Sequence, residues 1–488
     1  MRYLLGVDFG GSSSKATLLG EDGRVYATAI REYPTYYPKN GWAEQDVEDS
    51  YRALTDNIRT VLKDSGVEPK EIAALCLDAA THTAVLLGED DRPVRRAIYW
   101  TDSRSTEQAA RLKNELGDTL IRECYNSVSS LWTLPQLMWL RENEPETLRK
   151  TRKLMAVKDY VRYRLTGDFC TDSIEAMGFL LLDARSNTWS ARLCELAGID
   201  PAVLPPIVEP TRRMSCLTPQ ALRDTGLDAG TVVIAGATDT VMEVYASGAV
   251  NVGQATIKLA TAGRICPITD HAVVDPRLVT YRHVVEGLWY PGTATKACAT
   301  CNRWYRDTFG GSYEELSAEA AKIDRGCEGL FFHPYLQGEI TPYLDDRLRA
   351  SFTGAAGFHT KAHFNRAVLE GVAYSMKDCF ETLRELGIAP TEAVAIGGGA
   401  KAPLWRQILA DMLNIPLRTV ENVDSSLGSA MLAGVAVGIF DGHQDAVRRC
   451  VRVTGVTEPD PEGAAFHQER FSLYKDIQAA LAPIYHRL

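Results

Sequence analysis

The stretch that most constrains the fold is "DFGGSSSK" (Asp8 to Lys15), which directly follows the apolar run from Tyr3 to Val7. A P-loop requires four residues between its first glycine and Gly-Lys-Ser/Thr, followed by a helix whose N-terminus faces the phosphates. The sequence contains no such string, and the residues after Lys15 continue as the β-like run "ATLL". The glycines therefore predict a tight turn, with strands at residues 3–8, 15–19 and 24–30 forming a meander.

Two interpretations of this turn stay open on these residues alone. Backbone N–H groups in such a turn form an anion-binding nest without a helix, and Asp8 at the strand end is placed to hold Mg²⁺ directly or through water. The plainer alternative is a hairpin whose polar turn is simply exposed to solvent. Both interpretations predict the same strands, so other parts of the chain must decide between them.

The length and net charge of the chain indicate the number of domains and exclude some classes of binding partner. A chain of 488 residues is too long for one hydrophobic core, which indicates two large domains. Its formal net charge of −10 argues against nucleic acid or an anionic membrane as the main partner, but not against a phosphorylated small molecule. The most apolar stretch, residues 232–252, carries Asp239 and Glu243 and so predicts buried strand and helix instead of a membrane span.

The cysteines and the N-terminus predict the compartment. The sequence has 11 cysteines, an odd number spread through a large chain, which favours a reducing environment over a disulfide framework. Asp8 interrupts the N-terminal apolar run too early for a signal peptide. We therefore expect a cytoplasmic protein. The pair Cys298 and Cys301 ("CATC") has the spacing of a redox pair or half a zinc site, but no second pair follows, so buried structural thiols are the favoured interpretation.

The second half of the chain repeats the order of strands and turns with which the first half begins. "GQATIKLATAGRICPI" (residues 253–268) again has a strand, a turn of small residues and a strand, and helical patterns cover residues 47–65, 103–116 and 361–386. These features predict duplicated domains that face one another, covering residues 1–248 and 249–488.

Three further motifs follow in order along the chain. Asp239 comes after the apolar run 232–235, where a carboxylate is either exposed to a cleft or caps a helix. Thr261 and Gly263 belong to the small turn "LATAG". Three glycines and an alanine end a strand before a helix, which allows close approach of a flat ligand or forms an ordinary turn: Gly397, Gly398, Gly399 and Ala400.

This ordered set resembles the FGGY carbohydrate kinases, relatives of actin and hexokinase, and within them the xylulokinase subfamily. The likeness runs along essentially the whole chain and also includes "GWAEQD" (41–46), "YWTDSRS" (99–105), "VKDYVRYRLTGDFCTD" (157–172) and "HFNRAVLEGVAYSMKD" (363–378). The chain departs from the usual pattern in the loop "ATHT" (80–83) and at Gln136, Thr238, Thr240 and Ala260. Because several of these departures concern the sugar site, the resemblance predicts a kinase more firmly than its sugar.

The resemblance implies an α/β fold of two ribonuclease-H-like, actin/hexokinase-type ATPase domains with ATP in the cleft between them. It places Mg²⁺ at Asp8 and assigns Asp239 to accept the proton of the attacking sugar hydroxyl. Thr81 and His82 would bind the sugar, although His82 satisfied by backbone groups is the plainer interpretation. The phosphates would lie between two groups of residues: Gly10, Gly11, Ser12, Ser13 and Lys15 on one side, and Thr261 and Gly263 on the other. Residues 397–400 would flank the adenosine.

Trp100, Asp102 and Arg104 would line or brace the sugar pocket. A helix start is the competing explanation, in which Asp102 caps the following helix and Arg104 pairs with it.

The implied activity is ATP-dependent phosphorylation of a small sugar, with D-xylulose to D-xylulose 5-phosphate as the leading reaction. Another ketose, a polyol or a related polyhydroxy compound is the alternative acceptor, and an actin- or chaperone-like ATPase is the alternative class. The expected partners are ATP and a small sugar, with neither nucleic acid nor a membrane, and the sequence leaves room for a homodimer.

Overall fold

The structure, a computed structural model, describes all residues from Met1 to Leu488. It contains sixteen α-helices: α1 Val47–Ser65, α2 Thr106–Cys124, α3 Thr133–Asn143, α4 Pro145–Lys150, α5 Val157–Thr166, α6 Glu175–Gly178, α7 Ala191–Ala197, α8 Pro219–Thr225, α9 Asp239–Ala246, α10 Ala299–Phe309, α11 Tyr313–Ala320, α12 Lys361–Glu385, α13 Pro403–Leu413, α14 Ser425–Ala436, α15 His443–Cys450 and α16 Pro461–Tyr485.

The strands of the first half are β1 Tyr3–Phe9, β2 Ser13–Gly20, β3 Val25–Glu32, β4 Glu44–Gln45, β5 Ile72–Ala79, β6 Ala84–Leu87, β7 Ala97–Ile98, β8 Lys153–Ala156, β9 Thr171–Asp172, β10 Leu182–Asp183, β11 Thr188–Trp189, β12 Ile207–Val208, β13 Val232–Val233 and β14 Ala237–Thr238. Those of the second half are β15 Gln254–Leu259, β16 Gly263–Pro267, β17 Val279–Arg282, β18 Trp289–Thr295, β19 Phe331–His333, β20 Ser351–Thr353, β21 Glu392–Ile396, β22 Leu417–Val420 and β23 Val453–Thr457.

The first large sheet carries the predicted meander. Its strand order is β13-β5-β1-β2-β3, with β14 also pairing with β5. β1, β2 and β3 run antiparallel to their neighbours, whereas β5 lies parallel to β1. Alternate side chains of β1 enter different cores: Leu4 packs with α14, and Leu5 and Val7 pack with α1 and α5. This alternation is what a sheet covered on both faces requires.

The second large sheet repeats the arrangement of the first, as the sequence predicts. Its order is β17-β18-β16-β15-β21-β22-β23. β15 and β16 form the antiparallel hairpin, and β21 lies parallel to β15 just as β5 lies parallel to β1. The two halves therefore have the same strand order around their opening hairpins, and the predicted α/β fold of two related lobes is confirmed.

One helix of the second half packs on the sheet of the first half. α14 lies across β1, β2 and β5 and against α9. The approach requires glycine, because a Cβ on Gly6 would lie 1.8 Å from the carbonyl oxygen of Ser426, and one on Gly428 would lie 2.1 Å from that of Met242. The lobes are thus tied together by close backbone packing, a contact that a division at residue 248 does not suggest.

The cysteines and helices also bear on the expected environment. All 11 cysteines are free, and every one except Cys216 is buried. Cys298 and Cys301 both lie at the start of α10 among buried residues, and burial raises the pKa of the Cys298 thiol to about 12. They are the buried protonated thiols that the sequence favours. No helix combines the length and apolar character that a membrane crossing needs.

Candidate active site

Three carboxylates lie at one edge of the first sheet, where parallel strands β1, β5 and β14 end. Asp8 of β1 is the register partner of Asp78 of β5. Thr238 of β14 pairs with the next residue of β5, Ala79, and Asp239 follows it as the first residue of α9. Because parallel strands end at the same edge, the fold brings together three acids that are far apart in sequence.

Asp78 was not identified from the sequence. It is fully buried, and its Oδ2 accepts a hydrogen bond of 2.6 Å from the Ser429 hydroxyl of α14. Burial, with the nearby Asp8 as the next contribution, raises the pKa of Asp78 well above its ordinary value and so favours the protonated carboxyl. The available signal was its position, since it ends the apolar run "IAALCLDA" just as Asp8 ends "YLLGVDF".

Asp8 has the free oxygen that a cation site needs. Its Oδ1 is buried and has no hydrogen-bond partner. Burial raises the pKa of Asp8 to about 7, while the neighbouring Asp78 carboxyl acts in the opposite direction. No three His, Cys, Asp or Glu side chains converge on one point, so a cation here would draw its remaining ligands from phosphate and water. That arrangement suits Mg²⁺, which keeps several waters and few carboxylates.

Asp239 projects from the start of α9 and is only partly buried. Its Oδ1 accepts from the Thr240 backbone N–H at 2.5 Å and from the Thr240 hydroxyl at 3.1 Å. Burial raises the pKa of Asp239, with Lys258 acting against it. The N-cap position belongs to Thr238, and Asp239 Oδ1 satisfies one N–H of the first helical turn, which leaves Oδ2 without a hydrogen bond.

The first turn, residues 10–13, is held by side chains from outside it. The Tyr33 hydroxyl donates to the Gly10 carbonyl at 2.5 Å, and the Thr35 hydroxyl donates to that of Gly11 at 2.6 Å. A Cβ on Gly11 would lie 2.6 Å from the Tyr99 hydroxyl, so this position has no room for a side chain. Tyr33 and Thr35 belong to no motif of the sequence and were missed, whereas Tyr99 opens the motif "YWTDSRS". Lys15, at the end of the turn, forms an ion pair of 2.9 Å with Asp424 at the start of α14.

The second turn, residues 260–263, lies at the start of α10. The Ala299 N–H donates to the Ala260 carbonyl at 2.8 Å, and the Thr300 hydroxyl donates to the Thr261 carbonyl at 2.8 Å. Thr261 itself is exposed, and Gly263 is buried with no space for a Cβ beside Thr295. The turn thus presents its hydroxyl to solvent while its backbone is fixed by the helix.

The glycine turn, residues 397–400, follows β21 beside the second turn. Gly397 adopts φ +88°, and a Cβ there would lie 2.7 Å from the Leu259 carbonyl oxygen. Gly398 is exposed with open space above it, whereas Ala400 is buried. The geometry leaves an exposed backbone surface next to β15 that side chains do not cover.

His82 belongs to an aromatic cluster that joins the lobes, formed by His82, Trp132, Tyr281 and Tyr290. Its Nδ1 lies 2.9 Å from the Gly178 carbonyl oxygen, and its Nε2 lies 3.4 Å from the Tyr281 hydroxyl. Burial lowers the pKa of His82 to about 4, so the ring is neutral and its Nδ1–H donates to Gly178. One nitrogen is therefore satisfied by the backbone, as the plainer interpretation expects, and Nε2 is left as an acceptor.

Thr81 is held in position by the buried side chain of Glu175. Its hydroxyl donates to Glu175 Oε1 at 2.8 Å, and Glu175 Oε2 is buried without a partner. Burial raises the pKa of Glu175 to about 8. Glu175 and Gly178 both belong to the short helix α6, so this helix sets the position of the whole 81–82 loop.

Asp102 and Arg104 brace a loop. The Arg104 guanidinium donates to Asp102 at 2.8 Å and to Glu44 at 2.9 Å, and it stacks on the ring of Trp42. Asp102 also accepts from the Ala43 backbone N–H at 2.6 Å. The pairing of Arg104 with Asp102 is what the helix-start explanation predicts, although the N-cap of α2 is Ser105 and not Asp102. The contacts to Glu44, Ala43 and Trp42 show that the pair also joins separate loops. Trp100 is 39% exposed beside Tyr99, whose hydroxyl reaches the first turn.

The fold and the site together define a class of protein. Two lobes of the same strand order, tight turns opening each lobe, and an acidic strand edge are features of two-lobed phosphotransferases.

Comparison with known proteins gives the family. The N-terminal domain of the FGGY family of carbohydrate kinases matches residues 3–245, and the C-terminal domain of the same family matches residues 250–437. The chain therefore belongs to the FGGY family of carbohydrate kinases.

Individual relatives cover the chain from end to end. A xylulose kinase of Bacillus subtilis is 33% identical over 98% of this chain and 97% of its own length. The crystal structure of a ligand-bound xylulose kinase from Lactobacillus acidophilus superposes with a TM-score of 0.94 at 26% identity, covering 100% of both chains. A gluconate kinase structure from Lactobacillus acidophilus also has a TM-score of 0.94, at 27% identity, covering 100% of this chain and 99% of its own.

Proposed function

We propose that the chain transfers the terminal phosphoryl group of ATP to a terminal hydroxyl of D-xylulose, giving D-xylulose 5-phosphate. The observation that carries the proposal is the position of Asp239, a partly exposed carboxylate at the same strand edge as Asp8. The similarity to xylulose kinases over the full length of the chain supports the choice of acceptor.

The two turns would hold the phosphates from opposite lobes. In the first turn the backbone N–H groups and hydroxyls of residues 10–13 would bind the phosphates. Lys15, which is held by its ion pair with Asp424, would supply a nearby positive charge. In the second turn Thr261 would supply an exposed hydroxyl and Gly263 a close backbone approach. The exposed face of residues 397–399 would support the adenosine. Phosphoryl transfer needs alignment and neutralisation of charge more than a strong base, and these groups provide both.

Asp8 is the residue proposed to hold Mg²⁺, because its buried Oδ1 has no other partner. When bound, the cation neutralises charge on the phosphate oxygens. Asp239 would accept a hydrogen bond from the sugar hydroxyl and take its proton late in the transfer, after bonding to phosphorus has begun. Its raised pKa makes the carboxylate a better proton acceptor, and the hydrogen bond from Thr240 keeps it in position.

The sugar would bind beside the 81–82 loop. His82, neutral and oriented by Gly178, would accept from a sugar hydroxyl through Nε2, at the place where Tyr281 now stands at 3.4 Å. The aromatic cluster supplies flat apolar walls against which the C–H faces of a sugar pack. A cytoplasmic location belongs to the same proposal and is supported by the buried free cysteines.

A second acceptor class is a sugar acid. The similarity to a gluconate kinase structure, as high by TM-score as that to the xylulose kinase, favours including it.

The test is a coupled assay of ADP release with the purified chain, ATP and Mg²⁺ across ketopentoses, ketohexoses, polyols and aldonates. We expect D-xylulose to stimulate ADP release and to yield a phosphate ester, while Asp239→Asn abolishes the stimulation. ADP release that no polyhydroxy compound stimulates would contradict the proposal and would support an actin- or chaperone-like ATPase.

A further inference from the structure

Arg264 is the first residue of β16 whose side chain leaves the core of the second lobe. Gly263 faces that core, since a Cβ there would lie 2.6 Å from Thr295 and 2.7 Å from Met376. Ile265 packs in the same core, whereas Cys266 packs in the cluster shared with the first lobe. Side chains alternate along a strand, so Arg264 lies on the Cys266 side and is directed at the first lobe.

Arg264 lies between the candidate base and the aromatic cluster. Its Nη1 is 3.5 Å from the hydroxyl of Thr240, the residue that also holds Asp239. Its charge contributes to lowering the pKa of His82 and opposes the rise in the pKa of Tyr281 and Tyr290, three members of the aromatic cluster. The cation therefore faces the space proposed for the acceptor.

This guanidinium forms no ion pair, although the charge of Asp239 acts on it. No carboxylate oxygen lies within 4.0 Å of its nitrogens, and its Nε, like those of Arg162 and Arg282, is buried without a hydrogen-bond partner. By contrast, the buried Arg104 and Arg162 each contact a carboxylate at 2.8 Å or less. Withdrawing a guanidinium from water is unfavourable unless an anion or several acceptors replace the water. An arginine left in this state beside a binding site is suited to an anionic ligand.

We propose that Arg264 is a specificity-determining residue that binds the carboxylate of a sugar-acid acceptor, so that aldonates are phosphorylated at this site alongside the ketose. The planar guanidinium matches a carboxylate in a two-point contact, which a ketose hydroxyl cannot provide. This inference rests on the proposed kinase function and on Asp239 as the group that orients the attacking hydroxyl. The reaction stays balanced: the hydroxyl oxygen gains the phosphoryl group, ADP leaves, and the hydroxyl proton passes to Asp239.

The experiment compares wild type with Arg264→Gln and Arg264→Lys. Isothermal titration with D-gluconate and a five-carbon aldonate measures binding, and the ADP assay measures KM and kcat for these acids and for D-xylulose. Because a hydrogen bond to a charged group is lost, we expect Arg264→Gln to raise the aldonate Kd and KM about 10- to 100-fold. The KM for D-xylulose should change by a clearly smaller factor than the aldonate KM, and Arg264→Lys should recover part of the aldonate affinity.

Arg282→Gln is the matched control. Arg282 belongs to the neighbouring β17, donates to the Ala184 carbonyl at 3.0 Å and stacks on Trp289, so its removal also deletes an interlobe cation. It should leave the aldonate KM unchanged. Thermal unfolding of each variant establishes that the fold is retained, and Arg264→Lys serves if Arg264→Gln does not fold.

Three results would overturn the inference. One is a wild type that phosphorylates D-xylulose but neither binds nor phosphorylates any aldonate, a result that leaves the proposed function intact. Another is an equal fall in kcat on all acceptors with unchanged KM, which would place Arg264 on the transferred phosphoryl group. The third is an aldonate KM that shifts equally in Arg264→Gln and Arg282→Gln. Failure of the proposed function itself looks different, since then neither acceptor class would be phosphorylated.

Discussion

Asp8 and Asp78 stand opposite each other in the parallel register of β1 and β5, and their carboxyl groups share one buried environment. The pKa of Asp78 is raised well above its ordinary value, which favours its protonated form, and Asp78 acts against the rise that burial imposes on the pKa of Asp8. Two carboxyl groups so close ionise one at a time, so the proton that Asp78 retains is what allows Asp8 to be the anion.

We predict that Mg²⁺ binding at Asp8 depends on a hydrogen-bond donor at position 78 and not on the acidity of Asp78. Asp78→Asn keeps an N–H that can donate to Asp8 and should alter the Mg²⁺ dependence of activity less than about 3-fold, since one hydrogen bond is replaced by another. Asp78→Leu removes the donor. It should raise the Mg²⁺ concentration needed for half-maximal activity about 10-fold near neutral pH. Titration of activity with Mg²⁺ checks both.

The pH profile separates this from general damage. Asp8 has a pKa raised to about 7 and acts as a ligand only when ionised, so Mg²⁺-dependent activity should rise with pH through that value. Losing the Asp78 donor raises the pKa of Asp8 further and moves the rise to higher pH. Equal profiles for Asp78→Asn and Asp78→Leu would contradict the assigned relationship.

Asp239→Asn tests the proposed base. The amide cannot take the hydroxyl proton, so turnover should fall about 10²- to 10⁴-fold while ATP affinity stays within about 3-fold. Stopped-time product analysis gives the turnover, and titration calorimetry gives the ATP affinity. Glu243→Gln is the matched control, because it neutralises an acid one turn along α9 that pairs with Lys258. Near-normal turnover of a folded Asp239→Asn variant would refute the role.

The sequence predicts the local structure well where apolar runs and punctuation agree. The predicted strands of the meander agree with β1, β2 and β3 to within two residues, and the helix predicted for residues 47–65 is α1 Val47–Ser65. Asp46 caps that helix by accepting from the Glu48 N–H, and Gly66 ends it in the left-handed conformation. Such signals act within a few residues, so a single sequence contains them.

Contacts between distant segments were out of reach. Nothing near Asp78 indicates that Ser429, 351 residues away, donates to it. The same holds for Lys15, whose predicted role beside phosphate did not include its pair with Asp424. Both partners belong to the α14 region, which crosses from the second half of the chain onto the first sheet. Local sequence patterns do not predict that α14 packs on the first sheet. This packing nevertheless provides the contacts to Asp78 and Lys15 that determine the charge of the site.

Glu175 offers a test by stability alone. Its pKa is raised from 4.5 to about 8, so between these pH values the folded protein keeps a proton that the unfolded chain has released. Stability therefore falls as pH rises from about 4.5 to 8, and the loss is complete above the folded pKa. Glu175→Gln does not titrate and still offers Thr81 an acceptor. At pH 8 we expect the variant to be more stable than wild type by on the order of 3 kcal/mol.

The measurement is chemical denaturation of both proteins at pH 5, 6.5 and 8. The advantage of Glu175→Gln should grow across this series. Glu286→Gln, at an exposed position, is the control and should show a difference that does not depend on pH. A constant difference for Glu175→Gln as well would mean that the buried glutamate is ionised in the folded protein at every pH tested.

Gly6→Ala tests the packing of α14 on β1. The added Cβ would lie 1.8 Å from the Ser426 carbonyl oxygen and 2.5 Å from the Ala430 nitrogen, and both are backbone atoms that cannot rotate away. Overpacking of this kind costs about 3 kcal/mol or more because a helix must shift. Gly357→Ala, where the Cβ meets nothing within 4 Å, should change stability by less than about 0.5 kcal/mol.

The displaced helix should also reduce activity at temperatures where the variant is still folded. α14 carries Ser429, which holds Asp78, and Asp424 at its N-cap holds Lys15. A shift of α14 would therefore disturb the acid pair and the first turn together. We expect the KM for ATP to rise and kcat to fall in Gly6→Ala, with Gly357→Ala unchanged in both. A Gly6→Ala protein that is destabilised but kinetically normal would show that α14 stabilises the lobe without positioning the site.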